Sequence, residues 1–400
     1  MRLVSPLLKR VVYPTLSGAG VFRRTAARGL AVVTYHGVIP EGYSPVDASL
    51  DGNLVNAETL RQQLRLLKSH YDLVTPEDVL AWREGGRELP ARAVLVTCDD
   101  GLLNHLTEML PVLQQENVRC LFFVTGASAG EQRNMLWYEE LFLLFSGAPS
   151  GSFEVSCDEI IINGELGARE QRRSVWWNAV KRLSQVDAGT RCRFLSATRD
   201  EFGVEVWKGI EESESGRRRF ALLTAAEVRE LVLAGMTVGA HSLSHPVLSQ
   251  APVEIARAEI AESRVRLESV LQRRVWAFAY PFGDAPSVSS PVLAMPQESG
   301  YAAAFLNFGG GLGANLPAYA LPRIHVTADM SLAELEAHVS GFYSLLQRRA
   351  GPLTNNLRCM ARCPAFRCRS RPTPPPSASR SSCRVRLVLL PIRQNRRPVN

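Results

Sequence analysis

The 400-residue chain predicts an α/β fold built on a parallel sheet or an open barrel. Three observations point there. Short apolar, β-branched runs alternate with helical patterns, which suits strands covered on both faces. The helices between them carry readable start signals. Chemistry-bearing residues recur just after the runs, at the strand ends where βα architectures gather their functional groups. With 46% hydrophobic residues, the chain can bury a large core.

Strands are predicted over residues 31–35, 93–97, 120–124, 237–240, 276–280 and 302–305. Thr75 reads as an N-cap with Pro76 in the first turn, and Thr224 with Glu227 as a capping box whose helix stops near Gly235. Ser249 with Pro252 opens another helix, carrying Ile255, Ile260 and Val265 to about Arg273. Residues 131–220 interrupt this rhythm with an apolar helix over 136–145, a hairpin turning at Asn163-Gly164, and a polar helical stretch holding Trp176 and Trp177. We read 131–220 as an insertion, either a lid over the site or an added structural layer.

The ends differ from the body. Residues 1–27 read as a helical, amphipathic segment, a poor signal peptide because Pro14, Gly18 and Gly20 break its apolar run. Residues 3–22 are a candidate surface anchor, and no apolar stretch approaches the roughly 18 residues of a spanning helix. The net charge of +7 is misleading: residues 351–400 hold 11 Arg and no acid, leaving 35 basic against 39 acidic residues elsewhere, a net of −4. Rich in Pro, Ser and Arg, residues 351–400 are expected to be a disordered basic tail, and no nucleic-acid partner is expected. The cysteines, four in the body (Cys98, Cys120, Cys157, Cys192) and four in the tail, show neither disulfide-framework nor zinc-ribbon spacing. Unpaired thiols fit a reducing compartment, so a cytoplasmic location is expected, with peripheral contact to a membrane-linked substrate.

The chemistry concentrates in Thr97-Cys98-Asp99-Asp100-Gly101 and His241-Ser242-Leu243-Ser244-His245. Two acids and two imidazoles suffice for a hydrolytic metal site. One carboxylate and two neutral imidazoles hold a divalent ion while leaving a position open for water, and the spare carboxylate can serve as general base. His36 after the first strand, and Tyr280-Pro281-Phe282-Gly283 after a later one, fall at the same end of the sheet.

These motifs resemble the polysaccharide deacetylases of carbohydrate esterase family 4. Thr97–Gly101 is similar to that family's Thr-Phe-Asp-Asp-Gly, with Cys98 in place of the phenylalanine, and His241–His245 matches its His-Ser/Thr-x-x-His; the likeness covers roughly residues 28–345. It implies a distorted (β/α)7-type barrel and a metal, usually zinc, on Asp100, His241 and His245. It also implies that Asp99 is the general base, and that a backbone N–H at the position matching Phe282 stabilises the oxyanion.

Two departures stand out. The family's Arg-x-Pro-Tyr arginine is replaced by Ala279, and Arg323 is the candidate substitute. The family's usual late Leu-x-His is not evident. Here Thr34-Tyr35-His36 resembles the poly-N-acetylglucosamine deacetylase branch, in which a histidine after an early Tyr supplies the general acid, so His36 is the first choice and His325 the second. His105 reads as a helix-surface residue. The resemblance implies metal-dependent removal of an N-acetyl group from an N-acetylated amino-sugar saccharide, in envelope or exopolysaccharide metabolism. The competing readings are a non-catalytic carbohydrate-binding relative and a hydrolase of another amide or imide.

Overall fold

Seven strands close into a parallel barrel in the computed structural model of the protein, which describes residues 6–24, 28–203, 206–310 and 316–343, and the backbone of 383–388. In chain order the strands are β1 (Gly29–Tyr35), β2 (Asp72–Leu73), β3 (Arg92–Cys98), β4 (Cys120–Val124), β5 (Gly151–Cys157), β6 (Ile160–Leu166), β7 (Thr237–Ala240), β8 (Ala277–Ala279), β9 (Ala303–Gly309), β10 (Leu321–His325) and β11 (Cys383–Val388). Around the barrel they run β1, β10, β9, β8, β7, β4, β3 and back to β1. β1 and β3 pair along their whole length, from Gly29 opposite Arg92 to Tyr35 opposite Cys98. The short β2 lies beside β3 at Ala93 and Val94, below the point where β4 begins to pair at Val96. This is the (β/α)7-type barrel that the sequence leads one to expect.

Side chains of alternate strand residues fill the barrel, as the two-residue period of a strand requires. Leu30 and Val32, Ala93 and Leu95, Leu121 and Phe123, Ala277 and Ala279, Ala303 and Phe305, and Leu321 form one buried cluster. Phe123 and Phe305, on strands that are not neighbours, meet across the interior with ring centroids 5.2 Å apart. Gly239, beside Phe123 on β7, makes room for that ring: a Cβ there would sit 2.7 Å from it. Two barrel-sheet strands, β2 and β10, escape the sequence reading. β2 is two residues long, and β10 contains Pro322, which cannot donate to a ladder; the β9–β10 register shifts between Leu321 and Arg323 to accommodate it.

The helices start largely where their caps predict. Thr75 and Thr224 both form capping boxes, with Asp78 and Glu227. The third predicted helix begins at Val253 rather than near Ser249, because the Ser249 hydroxyl donates to the Pro286 carbonyl instead of capping; it runs to Leu271 and ends on Gln272 at φ 52°. In the N-terminal segment, Tyr13 and Phe22 are buried with Ala337 of the helix Leu332–Val339, while Leu7 and Val11 stay exposed. Lys9 bridges Asp329 and Glu334, and Arg23 and Ser17 reach Glu336. Among the described residues, no helix is long and apolar enough to cross a membrane.

The described residues divide into two compact units. The barrel unit comprises those up to 136 together with 210–343, and a second unit comprises 137–209 with β11. In the second unit the helix Trp137–Gly147 precedes the hairpin β5–β6, and the helices Arg169–Leu183 and Ala188–Phe202 follow it. The hairpin does not turn at Asn163-Gly164. It turns at Asp158-Glu159, with Asp158 at φ 54°, and Asn163 and Gly164 pair mid-strand with Glu154 and Phe153. Gly164 answers a packing need: a Cβ there would lie 2.9 Å from Val175 of the following helix. Residues 383–388 correct the expectation of a wholly disordered tail, since they pair antiparallel with β5; Arg384-Val385-Arg386-Leu387 has the alternation of a strand. The remainder of 351–400 lies outside the described residues.

Overpacking at Gly164 predicts that Gly164→Ala destabilises the protein by about 1–3 kcal/mol. Asn163→Ala, exposed and mid-strand, should stay within about 0.5 kcal/mol. Denaturant unfolding of the two variants separates this packing role from a turn role, which would make both costly.

Candidate metal centre

Each strand delivers its functional residue by continuing the inward-facing register of the barrel. Counting by twos from Leu30 and Val32 leads to His36, from Ala93 and Leu95 to Asp99, and from Leu321 to Arg323 and His325. The eight candidate site residues Asp99, Asp100, His241, His245, His36, Phe282, Arg323 and His325 lie on β10 or in the segments just after β1, β3, β7 and β8.

Asp99 and Arg323 form a buried, bidentate ion pair. Arg323 Nη1 donates to Asp99 Oδ1 at 2.6 Å and Nη2 to Oδ2 at 2.5 Å, with both residues 1% exposed. The guanidinium is held further by Nε donating to the Leu306 carbonyl at 2.7 Å, by the Thr97 hydroxyl at 3.3 Å, and by the Phe123 ring 5.3 Å away. Burial pushes the Asp99 carboxyl pKa up, but Arg323 and the nearby imidazoles outweigh it, so the pKa is lowered overall. Arg323 therefore occupies, from β10, the place beside the acid that Ala279 on β8 leaves without a cation.

Asp100, His241 and His245 converge. Asp100 Oδ1 lies 3.4 Å from His241 Nε2 and 3.2 Å from His245 Nε2, and all three residues are buried. His241 Nδ1 is 2.8 Å from the Ala279 carbonyl, which can only accept, so Nδ1 carries a proton and Nε2, the ring nitrogen that a neutral imidazole offers as a ligand, is the one that faces Asp100. In that neutral form, a lone pair and a carboxylate oxygen turned towards each other make a gap shaped for a cation. One oxygen and two imidazole nitrogens suit zinc and similar divalent ions. The residues present thus fit the metal that the sequence implies.

The backbone here is strained. Of the seven described non-glycine residues at positive φ, four belong to this centre: Asp100 (86°), Ser242 (59°), His245 (60°) and Phe282 (59°). Such conformations cost of order 1–3 kcal/mol each and persist only where the surroundings enforce them. Gly101 follows at φ 80°, packed so closely that a Cβ would sit 2.9 Å from Val124. Phe282 lies in the turn after β8 with its ring on His245, centroids 4.8 Å apart.

His36 and His325 come together at the same mouth, half-buried, with ring centroids 4.7 Å apart. His36 Nδ1 and His325 Nε2 have no hydrogen-bond partner among the described residues. Burial lowers the pKa of both; Asp100 and Asp99 pull His36 partly back, whereas His325 falls to about 3. The His36 loop is pinned by Val38 N–H donating to Asn104 Oδ1 at 3.1 Å, and by Gly37 at φ 136°, where a Cβ would sit 2.2 Å from that oxygen.

His105 is buried, contrary to its reading as a surface residue: its Nε2 lies 3.3 Å from the His36 carbonyl and 3.3 Å from Cys98 Sγ, and burial lowers its pKa to about 4. The helix periodicity after Asp100 gave no such signal, because the first turn there is a π-type turn. Sequence reasoning also missed Glu259, which receives the Ser244 N–H at 2.7 Å. A signal was present: Glu259 falls in the buried stripe Ala256, Glu259, Ile260, Ser263, Leu267 of its helix.

Comparison with known proteins gives a match to the polysaccharide deacetylase family model over residues 201–304. No curated protein matches the chain. Among solved structures, the Streptococcus pyogenes deacetylase PplD in complex with acetate is 18% identical, covers 78% of this chain and 99% of its own, and has a TM-score of 0.49. IcaB from Ammonifex degensii is 19% identical over 79% of this chain and 98% of its own, at 0.47. The BpsB deacetylase domain from Bordetella bronchiseptica is 14% identical over 74% and 94%, at 0.41. The matched segment takes in His241, His245, β7 and β8, while the Asp99–Asp100 pair and Arg323 lie outside it. The resemblance read from the sequence is thereby shown, as a polysaccharide deacetylase match over residues 201–304 that contains His241 and His245, two residues of the candidate metal centre.

Proposed function

We propose that the protein is a metal-dependent carbohydrate deacetylase that hydrolyses an N-acetyl group from an N-acetylated amino-sugar saccharide of envelope or exopolysaccharide metabolism. The observation that carries this reading is the adjacency of two differently held carboxylates: Asp100 faces two imidazoles, and Asp99, next to it, is clamped by Arg323. Environments that separate paired carboxylates divide their tasks.

Asp100, His241 and His245 hold the ion. When bound, a divalent ion supplies Lewis-acid polarisation of the amide carbonyl and acidifies water. Asp99, kept ionised by Arg323, takes the proton of the attacking water, and the bidentate clamp fixes the direction from which it does so. The peptide N–H of Phe282 supplies a donor for the oxyanion. His36 delivers a proton to the departing amine, with the His325 ring tilted against it. The carbohydrate-binding alternative drew its support from Ala279; with Arg323 supplying the cation beside Asp99, that support is gone.

Asp99→Asn should lower kcat by roughly 10²–10⁴-fold, read as amine release from N-acetylated oligosaccharides, with circular dichroism checking the fold. Undiminished turnover would sink the assignment. His241→Ala should lose stoichiometric zinc by elemental analysis; full retention would remove the metal site.

The pH profile carries signs for both residues. A base must be deprotonated, so activity is lost as pH falls through the Asp99 pKa; replacing Arg323 by Met removes a cation that lowers that pKa, moving the acid limb to higher pH. An acid must be protonated, so activity is lost as pH rises through the His36 pKa, and His36→Gln should flatten the alkaline limb. Initial rates across pH for the two variants check both, and shifts of opposite sign refute the roles.

A further inference from the structure

We infer that Glu259 is a positioning residue for the metal centre: by taking both donors of Ser244 it fixes the residue before His245, through the Leu243–Ser244 peptide and the Ser244 hydroxyl, and so sets the direction of that ligand. The inference rests on the metal reading above.

The segment from His241 to His245 forms neither helix nor strand, and two of its residues, Ser242 and His245, stand in the left-handed region. A short strained loop holds a ligand only if the surroundings enforce its shape. His241 N–H donates to the Val124 carbonyl at 3.0 Å, and the Ser242 carbonyl receives Gly126 N–H at 2.9 Å. The Ser242 hydroxyl receives His245 N–H at 2.9 Å. Leu243 lies against Gly126, where a Cβ would come within 2.7 Å of its side chain.

Ser244 is held from a different element. Its N–H donates to Glu259 Oε2 at 2.7 Å and its hydroxyl donates to Oε1, so one carboxylate captures both donors of one residue. Glu259 is 4% exposed and sits on the helix Val253–Leu271, which is 19 residues long. A long helix is a rigid support for a carboxylate, and a carboxylate is acceptor-only, so neither oxygen can turn a donor towards the loop. Methionine keeps the length of the side chain but accepts from neither donor, whereas glutamine would keep both contacts, its oxygen accepting the Ser244 N–H and its amide donating to the hydroxyl oxygen. Partners that orient metal ligands in this way typically govern affinity by about 10–100-fold.

The test measures zinc affinity by competition with a chromophoric chelator, together with the visible spectrum of the cobalt-substituted protein. Glu259→Met is expected to weaken zinc by about 10–100-fold and to alter the cobalt band, because His245 loses its fixed direction. Ser244→Ala, which keeps the peptide N–H, should weaken zinc less, and combining it with Glu259→Met should cost little beyond Glu259→Met alone, since both act on the same contact. Glu262→Gln, exposed on the same helix, should bind like the parent.

Unchanged affinity and an unchanged cobalt band in Glu259→Met would overturn the inference, as would full additivity of the double variant. If Glu259→Met does not fold, Ser244→Ala decides: parent-like affinity and spectrum overturn the inference. A parent protein that takes up zinc no better than His241→Ala would instead overturn the metal reading itself, and is distinguishable because it needs no change at Glu259.

Discussion

A guanidinium and a carboxylate closed inside an otherwise apolar barrel are the constraint around which the rest of this molecule is arranged. Removing two charges from water costs several kcal/mol each, and their attraction repays it only with good geometry and further hydrogen bonds. Asp99 and Arg323 meet both conditions, with two parallel contacts, the Leu306 carbonyl, the Thr97 hydroxyl and the Phe123 ring around them. The pair joins strands that are not neighbours, since β1 lies between β3 and β10. It therefore ties together, across β1, the two strands that flank it. The small interior residues Gly239, Ala277, Ala279 and Ala303 help leave the space that the rings and the guanidinium fill.

Much of this was legible in the sequence, because strand parity carries direction. Once the runs at 31–35 and 93–97 are read as strands, His36 and Asp99 follow on the inward count, and the apolar neighbours identify that count as the buried one. Asp100 breaks the rule. On strand parity it would face away from Asp99, and only a φ of 86° turns it towards the histidines. Positive φ at a non-glycine residue has no sequence signature, so its side-chain direction could come only from a known motif. β10 was hidden by Pro322, which argues against a strand until a register shift accommodates it.

Elsewhere, Asn163-Gly164 spells a hairpin turn in local chemistry, yet the helix packed on that strand needs the glycine more than the turn does. His105 misleads by the same kind of override: a polar ring near a helix start reads as solvent-facing, but the His36 carbonyl and the Cys98 thiol supply partners inside. Tertiary contacts decided these positions. The metal loop shows the converse, an irregular segment whose shape is carried by a regular helix through Glu259.

The place of β10 in the barrel bears on when the site comes into being. It is the last of the seven barrel strands in the chain, yet it sits between the first, β1, and β9. During synthesis the amino-terminal part leaves the ribosome first, so Asp99, Asp100, His36, His241 and His245 all emerge before Arg323 does. Until β10 inserts, Asp99 lacks the Arg323 guanidinium, and the barrel wall has an open seam next to β1. The protein thus couples the arrival of the residue that clamps Asp99 to the closing of its own fold: completion of the architecture and completion of the proposed catalytic apparatus are one event.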